Sequence, residues 1–300
     1  MHQVGFGLWN WVAVIVYLVA MLLIGSYFTK RASKDTDSFF TAGGKLPSWV
    51  VGFSIYATTL SAITFMSTPE KAFLTDWAYV AGTITIIAIV PILNYFYVPF
   101  FKKLRVTSAY EYLEARFGPS IRLIGSLLFV LFHLGRVAIV IYLPTLAITS
   151  VSDMNPYIVA TLVGVLCILY TFLGGFEGVV WSDFIQGVIL LGGAFFIILL
   201  GALQIHGNFG TIWHDAMEHK KILSADNFVI NSASAAFPII FIGNIFNNLH
   251  QYTASQDVVQ RYQASESMKE TRKSLWTNGL LAILSAPLFY DMGTMLYSFY

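Results

Sequence analysis

Eight stretches of this chain are apolar for about the width of a bilayer: 8–28, 47–67, 77–101, 121–148, 156–173, 181–204, 232–252 and 277–300. A helix needs roughly 20 mainly apolar residues to cross the hydrocarbon layer, where no water satisfies the backbone N–H and C=O groups. Eight such stretches in 300 residues leave room for little besides an all-α bundle of membrane-spanning helices. Only 11% of the residues are charged, against about 25% in a soluble domain. A net charge of +1 gives no footing for nucleic acid, and the lone Cys167 builds no disulfide framework. The first apolar run has no basic segment before it and lasts a full span, so it reads as a retained helix rather than a cleaved signal peptide. The eighth reaches Tyr300 without a polar tail, from which we expect a longer natural protein.

The loops orient the bundle. With the N-terminus outside, thirteen of the 17 basic residues fall in inward loops, around Lys30–Lys45, Lys102–Arg122 and Arg261–Lys273, and only Lys71, Lys220 and Lys221 fall outside. That asymmetry is the positive-inside pattern. No repeat of 20–50 residues recurs, and the one sizeable extramembrane stretch, near 205–230, is short for a domain.

The remaining basic residue, Arg136, lies inside a span, in SLLFVLFHLGRVAIVIYLP (126–144). A guanidinium there costs ~2.5–3.5 kcal/mol on insertion scales and must face a partner or a watery cavity. An internal ion pair or a row of helix carbonyls would serve. Because acidic residues in the other spans sit only near their ends, an anion from outside the chain fits better, a carboxylate held by both prongs of the fork. His133, one turn earlier on the same face, reads as a packed, hydrogen-bonded histidine.

Three further segments carry polar groups into spans. SIYATTLSAITFMST (54–68) packs Ser54, Thr58, Thr59, Ser61, Thr64, Ser67 and Thr68 together. Such hydroxyls compete for backbone carbonyls, and an unwound turn here would offer oxygen ligands to Na+; the alternative is close helix packing. In GGFEGVVWSDFIQG (174–187), Asp183 either opens a helix in a capping box with Gln186 or supplies a carboxylate to a cation, and Glu177 reads as a solvated loop residue. In NIFNNLHQYTASQDVVQRY (244–262), Asn244, Asn247, Asn248 and His250 either line a cavity or bond neighbouring helices, and SQDVVQRY reads as an amphipathic helix on the inner membrane surface. No HExxH, GxSxG or P-loop appears, so an enzyme is a poor fit.

These motifs resemble a known family. DSFFTAGGKLPSWVVGFSIYATTLSAITF and GGFEGVVWSDFIQG are similar to segments of the sodium:solute symporters, and TSAYEYLEARFG, LFHLGRVAI and TASQDVVQRY resemble its bacterial sodium/sialic acid symporters. The resemblance runs over essentially the whole chain. It implies the leucine-transporter-type inverted-repeat fold: one extra helix at 8–28, a first five-helix repeat at 47–204, and the start of a second at 232–300. It implies backbone carbonyls of Ala57 and Leu60 on one Na+, Asp183 at a second Na+ site, and part of the cation coordination from a helix beyond residue 300. It also implies solute contacts from Thr59, Ser61 and Thr64, with Arg136 on a sialic acid carboxylate. Thr83 stands where the subgroup has Gln and Ala62 where it has Ser, so Thr83 enters the expected solute set with a different reach. The expected function is Na+-coupled import of sialic acid across the plasma membrane by alternating access. The alternatives are another small anion, such as an amino acid or pantothenate, or a membrane sensor on the same fold.

Overall fold

The computed structural model describes residues 7–60, 62–104, 108–205, 208–230 and 236–300. The first helix, α1 (Leu8–Ala32), turns most of its length outward and buries only Met21, Gly25, Phe28 and Ala32. Short α2 (Thr36–Thr41) starts at Asp35, whose side chain accepts from the Ser38 N–H and so satisfies a free donor of the first turn.

The second span is broken. α3 (Ser48–Thr59) ends where Leu60 adopts an extended backbone, and α4 (Ala62–Leu74) resumes beyond it. The axes of 48–59 and 64–74 differ by 59°. α3 threads the centre of the molecule. Val50, Val51 and Ile55 are fully buried and share one cluster with Val90 and Leu93, with Val180, and with Val258, Tyr262 and Leu275. Gly52 lets the last helix approach, since a Cβ there would lie 2.5 Å from the Ser274 carbonyl oxygen.

α5 (Val80–Ile92) runs through a π-turn at Leu93–Tyr97 into α6 (Val98–Leu104), and 80–104 serves as one span. Pro91 lacks the N–H that a regular ladder would use, which accounts for the widened turn. α7 (Ala109–Phe117) is short and polar, and α8 (Pro119–Val151) is long and peripheral: no residue in its most apolar window is buried.

The next helix, α9 (Pro156–Gln204), has 49 residues. Straight, it would measure ~74 Å, more than twice the hydrocarbon thickness. It is not straight, because Gly175 leaves helical geometry at φ 56°, ψ −161°. Contacts with α1 give the direction of each half. Trp11 shares a cavity wall with Met154 and Val159, and Gly25 touches Tyr170 and Gly174, so numbering rises together. Past Gly175 it runs oppositely, with Arg31 on Glu177 at 2.9 Å and Met21 on Gln186 at 3.4 Å. The chain therefore reverses at Gly175 and crosses twice. Glu177, expected in solvent, is an ion-pair partner with its side chain 14% exposed.

α10 (Asn208–Glu218) is followed by α11 (Phe237–Ala254), α12 (Gln256–Gln263) and α13 (Met268–Phe299). Among the described residues, five helices are long and apolar enough to span a membrane, and the bent pair makes a sixth. Dividing α9 separates the expected fifth and sixth spans, and α11 occupies the expected seventh, with its apolar character lowered by Asn244, Asn247 and Asn248. The expectation for SQDVVQRY needs correction. α12 is not a surface helix: Val258, Val259, Arg261 and Tyr262 are all buried, and Tyr262 donates to the Tyr252 carbonyl at 2.8 Å.

Candidate functional site

The break at Leu60 organises the site. A helix leaves its last four carbonyls without intrahelical partners, and here they are shared out locally. Tyr56 O accepts from Leu60 N at 2.9 Å and from the Thr59 hydroxyl at 2.8 Å, while Thr58 O accepts from Arg136 Nη2 at 3.3 Å. The hydroxyl-for-carbonyl competition expected from the Ser/Thr cluster is what Thr59 does. Ser61 lies outside the described residues.

On one side of the break is a cavity of 430 Å³, lined by Ala57, Thr58 and Leu60, by His133 and Arg136 from α8, by Asp183 and Gln186 from α9, and by Asp257 from α12. The expectation that Arg136 has no acidic partner at its depth is overturned: Asp257 Oδ2 lies 3.5 Å from Arg136 Nη1. The same oxygen is 3.9 Å from His133 Nε2, and the His133 ring sits against Phe129 with centroids 4.0 Å apart. His133 is thus packed, as expected, and it also borders the cavity.

Asp183 has a second, tighter set of partners. Its Oδ2 accepts from the Ser54 hydroxyl at 2.6 Å and from Arg261 Nη2 at 2.7 Å, and Arg261 Nε donates to Ser54 Oγ at 2.8 Å. Arg261 also lies over the Phe176 ring at 5.5 Å. The capping reading of Asp183 falls, because the reversal at Gly175 places residue 183 about two turns into the second half of α9. A buried ion pair offsets its desolvation only with good geometry and further hydrogen bonds, and the closed Ser54–Asp183–Arg261 triangle supplies both.

Across Leu60 is a smaller cavity of 180 Å³, lined by Tyr56, Thr59, Thr64, Thr68, Thr83, Asn244, Asn248 and Gln251 among others. Asn248 donates to Thr85 Oγ1 at 2.6 Å and to Gly82 O at 3.3 Å, a helix-bridging role, whereas Asn247 and His250 are exposed. The expected residues are therefore divided. Thr59, Thr64 and Thr83 meet in the smaller cavity; Ala57, Arg136 and Asp183 meet in the larger; Leu60 borders both. Sequence reasoning missed Asp257 and Arg261, whose signal was their spacing: opposite charges four residues apart share one helix face.

The comparisons with known proteins agree with this architecture. The model of the sodium:solute symporter family matches residues 39–298. The chain is 45% identical over 295 residues to the sodium/sialic acid symporter of Proteus mirabilis (strain HI4320), covering 98% of this chain and 59% of that protein. Identity is also 45% to the sodium/sialic acid symporter of Aliivibrio fischeri (strain ATCC 700601 / ES114), over 100% of this chain and 59% of that protein. A solved structure of a substrate-bound, outward-open Na+-coupled sialic acid symporter superimposes with a TM-score of 0.94 at 44% identity, over 99% of this chain and 62% of that one. The chain thus spans about three-fifths of the length of these relatives. The fold expected from the sequence is met, the chain is a multi-pass membrane protein, and it belongs to the sodium:solute symporter family.

Proposed function

We propose that this chain is the greater part of a Na+-coupled symporter that imports sialic acid through the plasma membrane, with its N-terminus outside. The observation that carries the reading is Arg136: a permanent cation at mid-span, 29% exposed, on the wall of a cavity that abuts a broken helix. Its planar fork suits a carboxylate. The solute's carboxylate occupies the Arg136 side of Leu60, and its hydroxyl and N-acyl groups extend toward Thr59, Thr64 and Thr83. The coupling ion is cargo as much as the sugar is. Carbonyl oxygens of Ala57 and Leu60 for one Na+, and the carboxylate of Asp183 for a second, are hard donors of the kind Na+ takes, and all three residues border the larger cavity. Residues 47–204 act as the first repeat and 232–300 as the start of its inverted counterpart, with the broken helix at their shared centre. Each net positive charge carried inward gains ~2.3 kcal/mol per 100 mV of membrane potential, which drives uptake without ATP.

The test is uptake of labelled N-acetylneuraminate into proteoliposomes holding the full-length protein. Concentrative uptake is expected with external Na+ and is abolished when K+ replaces it. Uptake that persists undiminished under a proton gradient alone overturns the coupling, and transport of a carboxylate other than sialic acid in its place overturns the solute.

A further inference from the structure

Two arginine–aspartate pairs meet on α12, and they are built differently. Arg261, its side chain 6% exposed, closes on Asp183 at 2.7 Å and shares Ser54 with it. Asp257, one turn before it on the same face, faces Arg136 at 3.5 Å, with side chains 18% and 29% exposed. Guanidinium and carboxylate normally close to ~2.7–2.9 Å. The only hydrogen bond Arg136 makes among the described residues is a long one, 3.3 Å to the Thr58 carbonyl. Both members of this slack pair line the 430 Å³ cavity. A pair whose task is to hold helices together gains by closing and excluding water, as the Arg261 pair does. A pair that must open gains by staying loose and wet.

We propose that Asp257 is the resident counter-anion of Arg136: it neutralises the guanidinium while the cavity holds no anionic solute and yields it when the solute's carboxylate arrives. This makes Asp257 a specificity-determining residue. The inference rests on the reading that Arg136 receives the solute's carboxylate. Placing the guanidinium fork of Arg136 under an internal carboxylate subtracts the energy of opening that pair from the affinity of every acid. A neutral analogue does not call on Arg136 and leaves the pair closed, so it is insensitive to Asp257. The Val258 N–H donates to Asp257 Oδ1 at 3.1 Å, and His133, with Nε2 3.9 Å from Oδ2, gives that oxygen a place to turn when Arg136 leaves. Asp257 stands two residues past the break between α11 and α12 at Ser255, so opening the pair also removes a tie between α8 and α12.

The test is calorimetry on the full-length protein in saturating Na+, titrating N-acetylneuraminate and its C1 carboxamide into the parent, Asp257→Asn, Arg136→Ala and the double variant. Asp257→Asn is expected to bind the acid about 10-fold tighter, and the amide within about 2-fold of the parent, because one partly screened charge pair no longer has to open. In Arg136→Ala, acid and amide bind alike, and adding Asp257→Asn gives no further gain for the acid. If Asp257→Asn binds the acid no tighter while Arg136→Ala still erases the acid–amide difference, the proposal is overturned and the role of Arg136 stands. If the difference survives Arg136→Ala, that role falls and the proposal falls with it. Asp257→Ser is titrated alongside in case the asparagine variant does not fold. Failure of both to fold assigns Asp257 to holding the helices together and overturns the proposal.

Discussion

Arg136 and Arg261 are both guanidiniums set among apolar helices, each opposite an aspartate, and they show two ways a membrane protein keeps a charge. Arg261 is walled in by Ser54, Asp183 and the Phe176 ring. Arg136 is left with one distant carboxylate, one long bond to a carbonyl, and open space. Breaking a buried pair leaves an uncompensated charge, whereas loosening a cavity-side pair leaves a group that water or a solute can serve. The first arrangement fastens α12 to α3 and α9. The second keeps a binding group available.

The sharpest way to break this contrast is Arg261→Ala. It leaves Asp183 facing Ser54 without its cation and is expected to cost about 3–5 kcal/mol, read as a large drop in the melting temperature of the purified full-length protein in detergent. A melt indistinguishable from the parent would remove the structural role. Arg136→Ala is expected to act on binding instead. Losing a charge-assisted bond costs ~1.5–3 kcal/mol, about 10- to 150-fold in affinity for the acid, with a smaller change in melting than Arg261→Ala. Equal melting losses in the two variants would erase the distinction.

A third measurement separates the two readings of Asp183. Because it is bonded to Arg261, Asp183→Asn should destabilise, and Arg261→Gln should restore part of that loss in the double variant, with a coupling of roughly 0.5–3 kcal/mol. If Asp183 also ligates Na+, the single variant shifts the Na+ titration of uptake to higher concentration or lowers its Hill coefficient. An unchanged titration confines Asp183 to the ion pair. The smallest effect is expected at Thr59. Thr59→Ala removes the hydroxyl bond to Tyr56 O that helps close α3 before the break, at about 0.5–1.5 kcal/mol of stability. A larger loss would mean that this hydroxyl, rather than the packing of α3, holds the broken turn in place.

How much of this was legible depended on distance along the chain. The spans were readable because hydropathy is local; the break was one of two readings of its run of hydroxyls, which compete for nearby carbonyls or pack helices closely. The reversal at Gly175 was readable as a gap between apolar runs, but its boundary was not: α9 resumes at residue 176, earlier than the expected 181, and this took Asp183 out of its supposed cap. What failed was everything that joined distant segments. Arg136 and Asp257 are 121 positions apart, and Asp257 lay in a stretch whose charges suggested a solvated face. The apolar Val258, Val259 and Tyr262 between and beside those charges mark a helix packed on several sides, and that mixture fits a buried α12 better than a surface one. The family resemblance grouped Thr59, Thr64 and Thr83 as solute contacts, yet no feature of the sequence revealed that the Leu60 backbone divides them from Arg136.

Leu60 is a party wall. One residue in extended conformation bounds the 430 Å³ chamber on one side and the 180 Å³ chamber on the other. Any ligand that stiffens or shifts this wall from one chamber changes the terms of entry to the other. Thermodynamic reciprocity then fixes the size of the exchange: if Na+ takes the Ala57 and Leu60 carbonyls, as we propose, whatever factor it adds to sugar affinity, sugar must add to Na+ affinity. Symport, on this view, needs no lever arm. It needs two guests who lean on the same partition.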